Sequence, residues 1–352
     1  MVSFVLIVLY VTNFTRLARP PFPRGAIVSI RYAIREDLGG TSVAGNVAFE
    51  GKEAGERSVR HHAHLWRGIA FTLLGGTLWG INGTLSKVLM DAYAIEPLWL
   101  ASVRELTACW LFLAAAHVRA PGSVAGALRD PRSVLSILGT AILCILFSQV
   151  AYLKAIQWTN SATATILQSL SVVIVMVFVC LHSRRRPRRR EVAGIVLALV
   201  GTYLVATAGD FGALRLPPQG LFWGMCCAVA ATFLSIQPLR MIGRWGNFAV
   251  NGLAFLFSGI VLAIVYQPWA HMPALDATGV VLLALSVVLG TFGAYALYLQ
   301  GVKEVGSVRG SMLATSEPVM ATVTSVVWLG ATFAPAELVG FAMIILMVFL
   351  TA

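Results

Sequence analysis

The chain has 352 residues, of which 58% are hydrophobic and 12% are charged, and its mean hydropathy is +0.81. Soluble domains carry roughly 25% charged residues, so this composition excludes an ordinary soluble protein. The formal net charge is +11, but the basic residues lie in short gaps between apolar runs. A nucleic-acid-binding protein needs them on one solvated face among aromatic residues. No nucleic acid partner is therefore predicted, and the charges are assigned to orientation in a lipid bilayer.

The first 65 residues differ from the rest of the chain. A run of ten apolar residues, VSFVLIVLYV at 2–11, precedes arginine and proline and then a glycine-rich stretch of mixed charge. The run is too short to span a bilayer, and its flanking charges are the reverse of those around a signal peptide. Residues 1–65 are predicted to be a flexible or interfacial extension, or to belong to an upstream start.

Ten apolar segments of about the length that a bilayer demands follow from Trp66 onward. Glycine, proline and charged residues mark most of the breaks between them. The predicted fold class is therefore an all-α integral membrane protein with ten transmembrane helices. The predicted spans are 67–89, 97–117, 134–153, 161–181, 191–208, 218–237, 248–266, 279–299, 306–329 and 335–352.

Lysine and arginine are distributed unevenly between alternate loops, with 13 on one side of the predicted membrane and 2 on the other. Because positively charged loops stay in the cytoplasm during insertion, this bias predicts a multi-pass protein of the cell (plasma) membrane with both termini cytoplasmic. The 13 residues are Arg119, Arg129, Arg132, the six arginines of 184–190, Arg240, Arg244, Lys303 and Arg309, and the other two are Lys154 and Arg215.

The sequence repeats itself at an offset of 146 residues. The matches are Tyr152-Leu153 with Tyr298-Leu299, Ser161 with Ser307, Leu167 with Leu313, Val173 with Val319, Glu191 with Glu337 and Gly194 with Gly340. The same register places the arginine-rich loop 184–190 opposite the uncharged segment 330–336, so equivalent loops face opposite sides of the membrane. Two inverted five-helix repeats, 66–209 and 210–352, are therefore predicted, a plan that recurs in secondary transporters.

Small residues indicate where helices meet. Two GxxxG motifs, Gly76–Gly80 and Gly220–Gly224, follow no predicted strand, so they are predicted to be close-packing contacts and not phosphate loops. The five cysteines fall inside apolar runs without CxxC spacing, which indicates small core residues, and no disulfide or metal site is predicted.

Four stretches carry a family resemblance over residues 66–352. They are LWGINGTLSK at 78–87, the arginine of SVRELTA at 102–108, AYLKAIQWTNSATATIL at 151–167 and AYALYLQGVKEVGSVRGSMLATSEPVMA at 294–321. Together they resemble the ten-helix EamA-type transporters of the drug/metabolite transporter superfamily. The chain departs from that pattern in its 65-residue leader and in GATFAPAE, where only Glu337 stands near the last turn.

The resemblance implies a carrier of small metabolites, amino acids or drugs that is driven by an ion gradient such as H+ and has no cofactor. An intramembrane enzyme would need a nucleophile with its base or a metal triad, and the predicted spans contain no helical His or Asp pairs. The favoured function is therefore alternating access for an amino acid, amine or drug-like compound, with export as the direction. A non-transporting scaffold or receptor with the same fold stays open, as does the oligomeric state.

Glu317 lies near the middle of the ninth predicted helix, some eleven residues from either end. At 1.5 Å rise per residue it is roughly 15 Å from water on both sides. Such a carboxylate usually faces a cavity or a proton path, so Glu317 is predicted to bind a proton or substrate, with a protonated structural glutamate as the alternative. Pro318 frees the carbonyl of Ala314, which indicates a broken helix at the site or a kink needed only for packing. The equivalent of Glu317 in the first repeat is Ser171.

Arg104 is predicted to pair with a carboxylate or hold an anionic substrate. The alternative is that Arg104 and Glu105 snorkel outward. Other aromatic and hydrogen-bonding groups are predicted to line a central cavity, against the alternative of a lipid-facing aromatic belt. These residues are Trp79, Asn82, Gln149, Tyr152, Gln168, Tyr295 and Tyr298.

Overall fold

The computed structural model describes the backbone of residues 43–351 except 183, 185, 211, 237 and 238, and side chains from residue 65 with further gaps at 179, 182, 235, 236, 239, 307, 308 and 311. The chain divides into two units after Gly55. The described side chains all belong to the second unit. The predicted extension at 1–65 lies almost wholly outside the residues whose side chains are described, so it stays a prediction.

Every regular element in the described part of the chain is a helix. The elements of the first half are α1 Val43–Ala92, α2 Pro97–Arg119, α3 Ser123–Arg129, α4 Pro131–Thr140, α5 Phe147–Trp158, α6 Ser161–Gln168, α7 Ser171–His182 and α8 Arg189–Thr207. Those of the second half are α9 Pro218–Ile236, α10 Leu239–Trp245, α11 Asn247–Tyr266, α12 Ala277–Leu285, α13 Ala294–Val305, α14 Ser307–Leu313, α15 Ser316–Leu329 and α16 Pro335–Thr351. A short 3₁₀ turn, Pro268–Ala270, follows α11.

Two long apolar helices each contain a π-helical segment. Ala141–Leu146 joins α4 to α5, and Ser286–Gly293 joins α12 to α13. Segments of this kind are rare and frequently mark functional sites. The sequence analysis predicted neither.

Six helices in the described chain are long and apolar enough to cross a bilayer. They are Pro97–Arg119, Pro131–Trp158, Ser161–Phe178, Arg189–Thr207, Asn247–Tyr266 and Ala277–Val305. Pro218–Leu234 and Pro335–Thr351 are shorter apolar helices. Large apolar side chains such as Leu199 and Ile264, each 67% exposed, lie on their outer faces, as lipid contact requires. The predicted all-α integral membrane fold is confirmed.

The helices pack in pairs along much of their length. α2 lies against α11, α8 against α16, α9 against α5 and α6, and α6 against α15. Between α2 and α11, the buried rings of Phe112 and Phe255 stack with their centroids 5.3 Å apart. Five of these helices, α6, α9, α11, α15 and α16, also line one cavity.

Glycines let α1 lie directly on the backbone of α15. A Cβ at Gly76 would overlap the Ser316 hydroxyl, and one at Gly80 would overlap the Glu317 carbonyl. The second motif, Gly220–Gly224, packs α9 in the same way against the α5–α6 connection and α6. Both GxxxG motifs are therefore close-packing contacts, as predicted from the sequence.

Gly80→Ala places a methyl group against the backbone of α15, and overpacking of this kind costs about 1 to 3 kcal/mol. We expect this variant to lower the thermal unfolding midpoint of the detergent-solubilised protein by several degrees. Gly243→Ala is the matched control, because a Cβ on that helical glycine meets nothing within 4 Å. Its midpoint should equal or exceed that of the wild type, because alanine favours a helix more than glycine does. Equal midpoints for the two variants would contradict the close contact between α1 and α15.

Candidate functional site

A cavity of about 430 Å³ lies between the helices. Its walls come from α1, α6, α7, α9, α10, α11, α13, α15, α16 and the turns that join α6 to α7 and α14 to α15. Seven of the residues that the sequence singled out line this cavity, and they are Trp79, Gln168, Ser171, Tyr295, Tyr298, Glu317 and Pro318.

Two interruptions of helical backbone face this cavity. One separates α6 from α7 and the other separates α14 from α15. The residues that line the cavity at the first are Gln168, Ser169, Ser171 and Val172, and at the second Ala314, Thr315, Glu317 and Pro318. Interrupted helices are tolerated at membrane depth where they are buried in protein or line a cavity.

The second interruption puts Glu317 in the first turn of α15 and not in the middle of an unbroken helix. A carboxylate in a first turn is stabilised by the positive end of the helix dipole. The Glu317 amide donates to the Ala314 carbonyl at 3.0 Å, so the expectation that Pro318 leaves this carbonyl free is wrong. Within the described part of the chain, no side chain hydrogen-bonds to the Glu317 carboxylate, which leaves it open to a ligand or a proton.

Three aromatic side chains form one wall of the cavity. The Trp79 ring centroid lies 4.9 Å from that of Tyr295 and 4.8 Å from that of Tyr298. Tyr295 also meets Phe112 and Phe255 edge-on, at 6.0 and 5.6 Å, which fixes its orientation. These rings face the interior, so the lipid-facing belt is the wrong alternative for Trp79 and the two tyrosines.

Arg104 is buried but does not line the cavity. Its Nε and Nη2 donate to the Thr291 hydroxyl at 3.2 and 3.1 Å, and its Nη1 donates to the Ser86 hydroxyl at 3.3 Å. Glu105 is also buried and accepts a hydrogen bond from Ser258. The snorkelling alternative is therefore wrong for both residues. Among the described residues, no carboxylate forms an ion pair with Arg104.

Asn82, Gln149 and Tyr152 do not belong to the cavity lining in this structure. Asn82 accepts a hydrogen bond from the Ser286 hydroxyl at 2.6 Å, and Gly290 leaves room for its side chain. Gln149 is buried. The Tyr152 hydroxyl is also buried and has no hydrogen-bond partner among the described residues. Asn82 therefore joins α1 to the second π-helical segment.

Four buried hydroxyl groups join α1, α6 and α15, and we call them the hydroxyl cluster. Thr84 is hydrogen-bonded to Ser161 at 2.7 Å and to Thr324 at 2.6 Å, and Ser161 is hydrogen-bonded to Ser325 at 2.9 Å. Thr84 lies five residues beyond Trp79 on α1, about 7.5 Å further along the axis. The cluster therefore ties three helices together beyond one end of the cavity.

The sequence analysis missed several polar residues of the lining, Thr165, Ser169, Asn251 and Thr315. The Thr165 hydroxyl donates to the Ser161 carbonyl at 2.8 Å, and Thr315 donates to the Met312 carbonyl at 2.7 Å. Threonines in apolar helices commonly make such bonds to the preceding turn, so residue type alone does not distinguish a cavity position.

A bundle of apolar helices around a cavity with one carboxylate is the architecture of a multi-pass membrane transporter. The chain belongs to the EamA-like transporter family, whose model matches residues 66–207 and again 218–352. The resemblance drawn from the sequence is thereby confirmed. Membership of this family indicates that the protein is a transporter of small molecules, and not an enzyme.

Related proteins agree with this assignment. The uncharacterized inner membrane transporter YicL of Salmonella typhimurium is 28% identical over 279 residues, which cover 79% of this chain and 93% of that protein. The uncharacterized transporter YwfM of Bacillus subtilis is 22% identical over 281 residues, covering 78% and 90%. A protein of known crystal structure superposes with a TM-score of 0.56 at 20% identity, covering 82% of this chain and 96% of its own, which is a likeness of fold alone.

Water access distinguishes the cavity from the hydroxyl cluster. Thr315 lines the cavity, whereas Ser325 is fully buried. With the five native cysteines replaced by alanine, we expect Thr315→Cys to react with a water-soluble methanethiosulfonate at least about tenfold faster than Ser325→Cys, because the thiolate needs water to form. The adduct is counted by the mass of the intact protein. Equal rates at the two positions would contradict the cavity.

Proposed function

We propose that this protein is a secondary transporter that moves an amino acid, amine or drug-like compound across the cell membrane by alternating access, with export as its net direction and H+ as its coupling ion. The observation that carries the proposal is Glu317, a carboxylate that lines the cavity and has no hydrogen-bond partner among the described side chains. The sequence predicts that Glu317 lies at membrane depth. Placing a carboxylate there costs about 2.5 to 3.5 kcal/mol, and residues that incur this cost usually serve transport.

Ten transmembrane helices in two inverted repeats, 66–209 and 210–352, are part of the proposal. The two matches of the family model, at 66–207 and 218–352, support this division. The packing of the helices supports it too. α2 packs against α11, and each is the second helix of its repeat; α8 packs against α16, and each is the fifth. In carriers with inverted repeats, movement of one repeat against the other opens the substrate site to each side of the membrane in turn.

Irregular backbone follows the same register. The π-helical segment Ala141–Leu146, moved by 146 residues, falls within one residue of Ser286–Gly293 at both ends. The interruption between α6 and α7 likewise falls within one residue of that between α14 and α15. Apolar composition does not produce such coincidences, so they favour a true repeat over a chance resemblance.

The cavity lining also follows the register. Four equivalent pairs line it from both halves, and they are Gln168 with Ala314, Ser169 with Thr315, Ser171 with Glu317 and Val172 with Pro318. A substrate site built by corresponding residues of both repeats is the arrangement expected of an inverted-repeat carrier.

The cavity extends toward one end of the bundle. Ile242 of α10, Val302 of α13 and Val348 of α16 line it there, close to the ends of their helices. The distribution of lysine and arginine assigns that end, with both termini, to the cytoplasm. The hydroxyl cluster closes the opposite end, so we infer that the structure is the cytoplasm-facing state of the transport cycle.

Side chains at the ends of the spans also hold the closed end together. The Tyr93 hydroxyl donates to Asp276 at 2.7 Å, and the Tyr266 hydroxyl donates to Glu96 at 3.0 Å. The amide of Gly279 and the hydroxyl of Tyr93 hold the pKa of Asp276 below its usual range. Asp276 is therefore ionised at neutral pH and accepts hydrogen bonds from the Gly279 amide and the Tyr93 hydroxyl in this state.

The lining favours a protonated amine over an anion. Glu317 is the only carboxylate among the described lining residues, and no lysine, arginine or histidine is among them. Trp79 and the two tyrosines line the cavity, and aromatic rings of this kind attract an ammonium group. Arg104 is held by hydroxyl groups away from the cavity, so it does not offset this preference.

Uptake into proteoliposomes tests the proposal. With a pooled set of labelled amino acids and small amines, we expect wild-type protein to accumulate at least one compound only when a pH gradient is imposed. Glu317→Gln should abolish this accumulation, because glutamine cannot titrate. Ser171→Ala is the control at the equivalent position and should cost at most about tenfold, the loss of one neutral hydrogen bond.

Reconstituted protein of each variant is quantified so that rates are compared per molecule. Full gradient-driven accumulation by Glu317→Gln would end the proton-coupling proposal. Absence of accumulation of every compound by the wild type would favour a non-transporting scaffold or receptor with this fold.

A further inference from the structure

The connection between α7 and α8 carries a dense cluster of arginines. Residues 184–190 have the sequence RRRPRRR. The exposed arginines among the described residues are Arg184, Arg186, Arg188, Arg189 and Arg190. In the part of the chain that the structure describes, no carboxylate forms an ion pair with any of these five. Like charges held this close repel each other, so binding of an anion at the cluster is favourable.

The cluster lies at the surface of the membrane. The candidate spans Ser161–Phe178 and Arg189–Thr207 flank it, and only six residues separate the end of α7 from the start of α8. The guanidinium groups are therefore held at the depth of the phospholipid headgroups. Clusters of four to eight basic residues in this position attract anionic lipids, and the planar guanidinium binds a phosphate through two parallel hydrogen bonds.

An apolar stripe continues from the cluster along α8. Val192, Val196 and Leu199 are 47%, 53% and 67% exposed. Their spacing of four and three residues puts them on one face of the helix, and Arg189, the first residue of α8, lies one turn before Val192 on that face. The stripe is about 10 Å long at 1.5 Å per residue. Positive charge at the membrane surface followed by an exposed apolar face matches a phospholipid better than a soluble polyanion.

We propose that the five described arginines of this cluster and this apolar stripe form a binding site for an anionic phospholipid. The five are Arg184, Arg186, Arg188, Arg189 and Arg190. The arginines bind the phosphate of the headgroup, and an acyl chain lies along Val192, Val196 and Leu199. The same charges direct the orientation of the chain during insertion, and the lipid neutralises them afterwards. None of these residues lines the cavity, so the site does not depend on the proposed transport function.

The test counts lipids bound to the purified full-length protein in a neutral detergent, by native mass spectrometry. Phosphatidylglycerol and phosphatidylcholine of equal chain length are titrated separately. We expect the wild type to bind phosphatidylglycerol at least tenfold more tightly. Each arginine contributes about fivefold near an anionic surface, so the triple variant Arg186→Gln/Arg188→Gln/Arg189→Gln should lose about 100-fold in phosphatidylglycerol affinity.

The matched control removes three charges elsewhere on the same predicted side, with Arg129→Gln/Arg132→Gln/Arg309→Gln, whose arginines are also exposed. It should retain phosphatidylglycerol binding within about twofold, because none of the three belongs to the cluster. An equal loss in both triple variants would overturn the proposal, since general positive charge would then explain the binding.

A third arm separates a lipid from a soluble anion. Val196→Ser should weaken phosphatidylglycerol binding, while glycerophosphoglycerol, the same headgroup without acyl chains, should bind at least tenfold more weakly than the lipid. Equal affinity for the headgroup and the lipid would overturn the proposal in favour of a soluble phosphate site. Equal binding of phosphatidylglycerol and phosphatidylcholine by the wild type would overturn it as well.

Discussion

The structure depends on one constraint, which is that the carboxylate of Glu317 lines a cavity between apolar helices, where charge is costly. The break between α14 and α15 brings the first turn of a helix to this residue, so that backbone dipoles stabilise it. Gly76 and Gly80 allow α1 to reach the same turn. The cavity gives the carboxylate contact with a proton or a ligand. A larger side chain at Gly76 or Gly80 would push α1 away from this turn. A continuous helix from α14 to α15 would take away the helix end that stabilises the carboxylate.

Other polar groups in the bundle are used to join helices. Arg104 is held by Thr291 and Ser86, which keeps its positive charge out of the cavity and attaches α2 to α1 and to the second π-helical segment. The hydroxyl cluster joins α1, α6 and α15 without using a charge. Neutral hydrogen bonds of this type are modest in energy, so they can separate and re-form within a transport cycle.

Hydropathy predicted the helices well because the bilayer fixes their length: the predicted spans 97–117 and 248–266 correspond to Pro97–Arg119 and Asn247–Tyr266. Glu317 and Trp79 were predictable cavity residues, because a carboxylate or a large aromatic ring stands out in an apolar segment. The π-helical segments could not be predicted, because their residues are as apolar as those of the α-helices around them. The partners of Arg104 depend on which faces of α1 and α2 meet, a tertiary fact that periodicity in apolar helices does not contain.

The proposed alternation of the cavity between the two membrane faces is tested most directly by distances between spin labels, measured by double electron–electron resonance. One pair, at Gly243 and Lys303, flanks the lining residues Ile242 and Val302, and the other, at Ala92 and Thr332, lies near the closed end. We expect two distance populations for each pair, and a change of pH or of transported compound should shorten one distance as it lengthens the other. A single unchanged distance in both pairs under every condition would contradict alternating access.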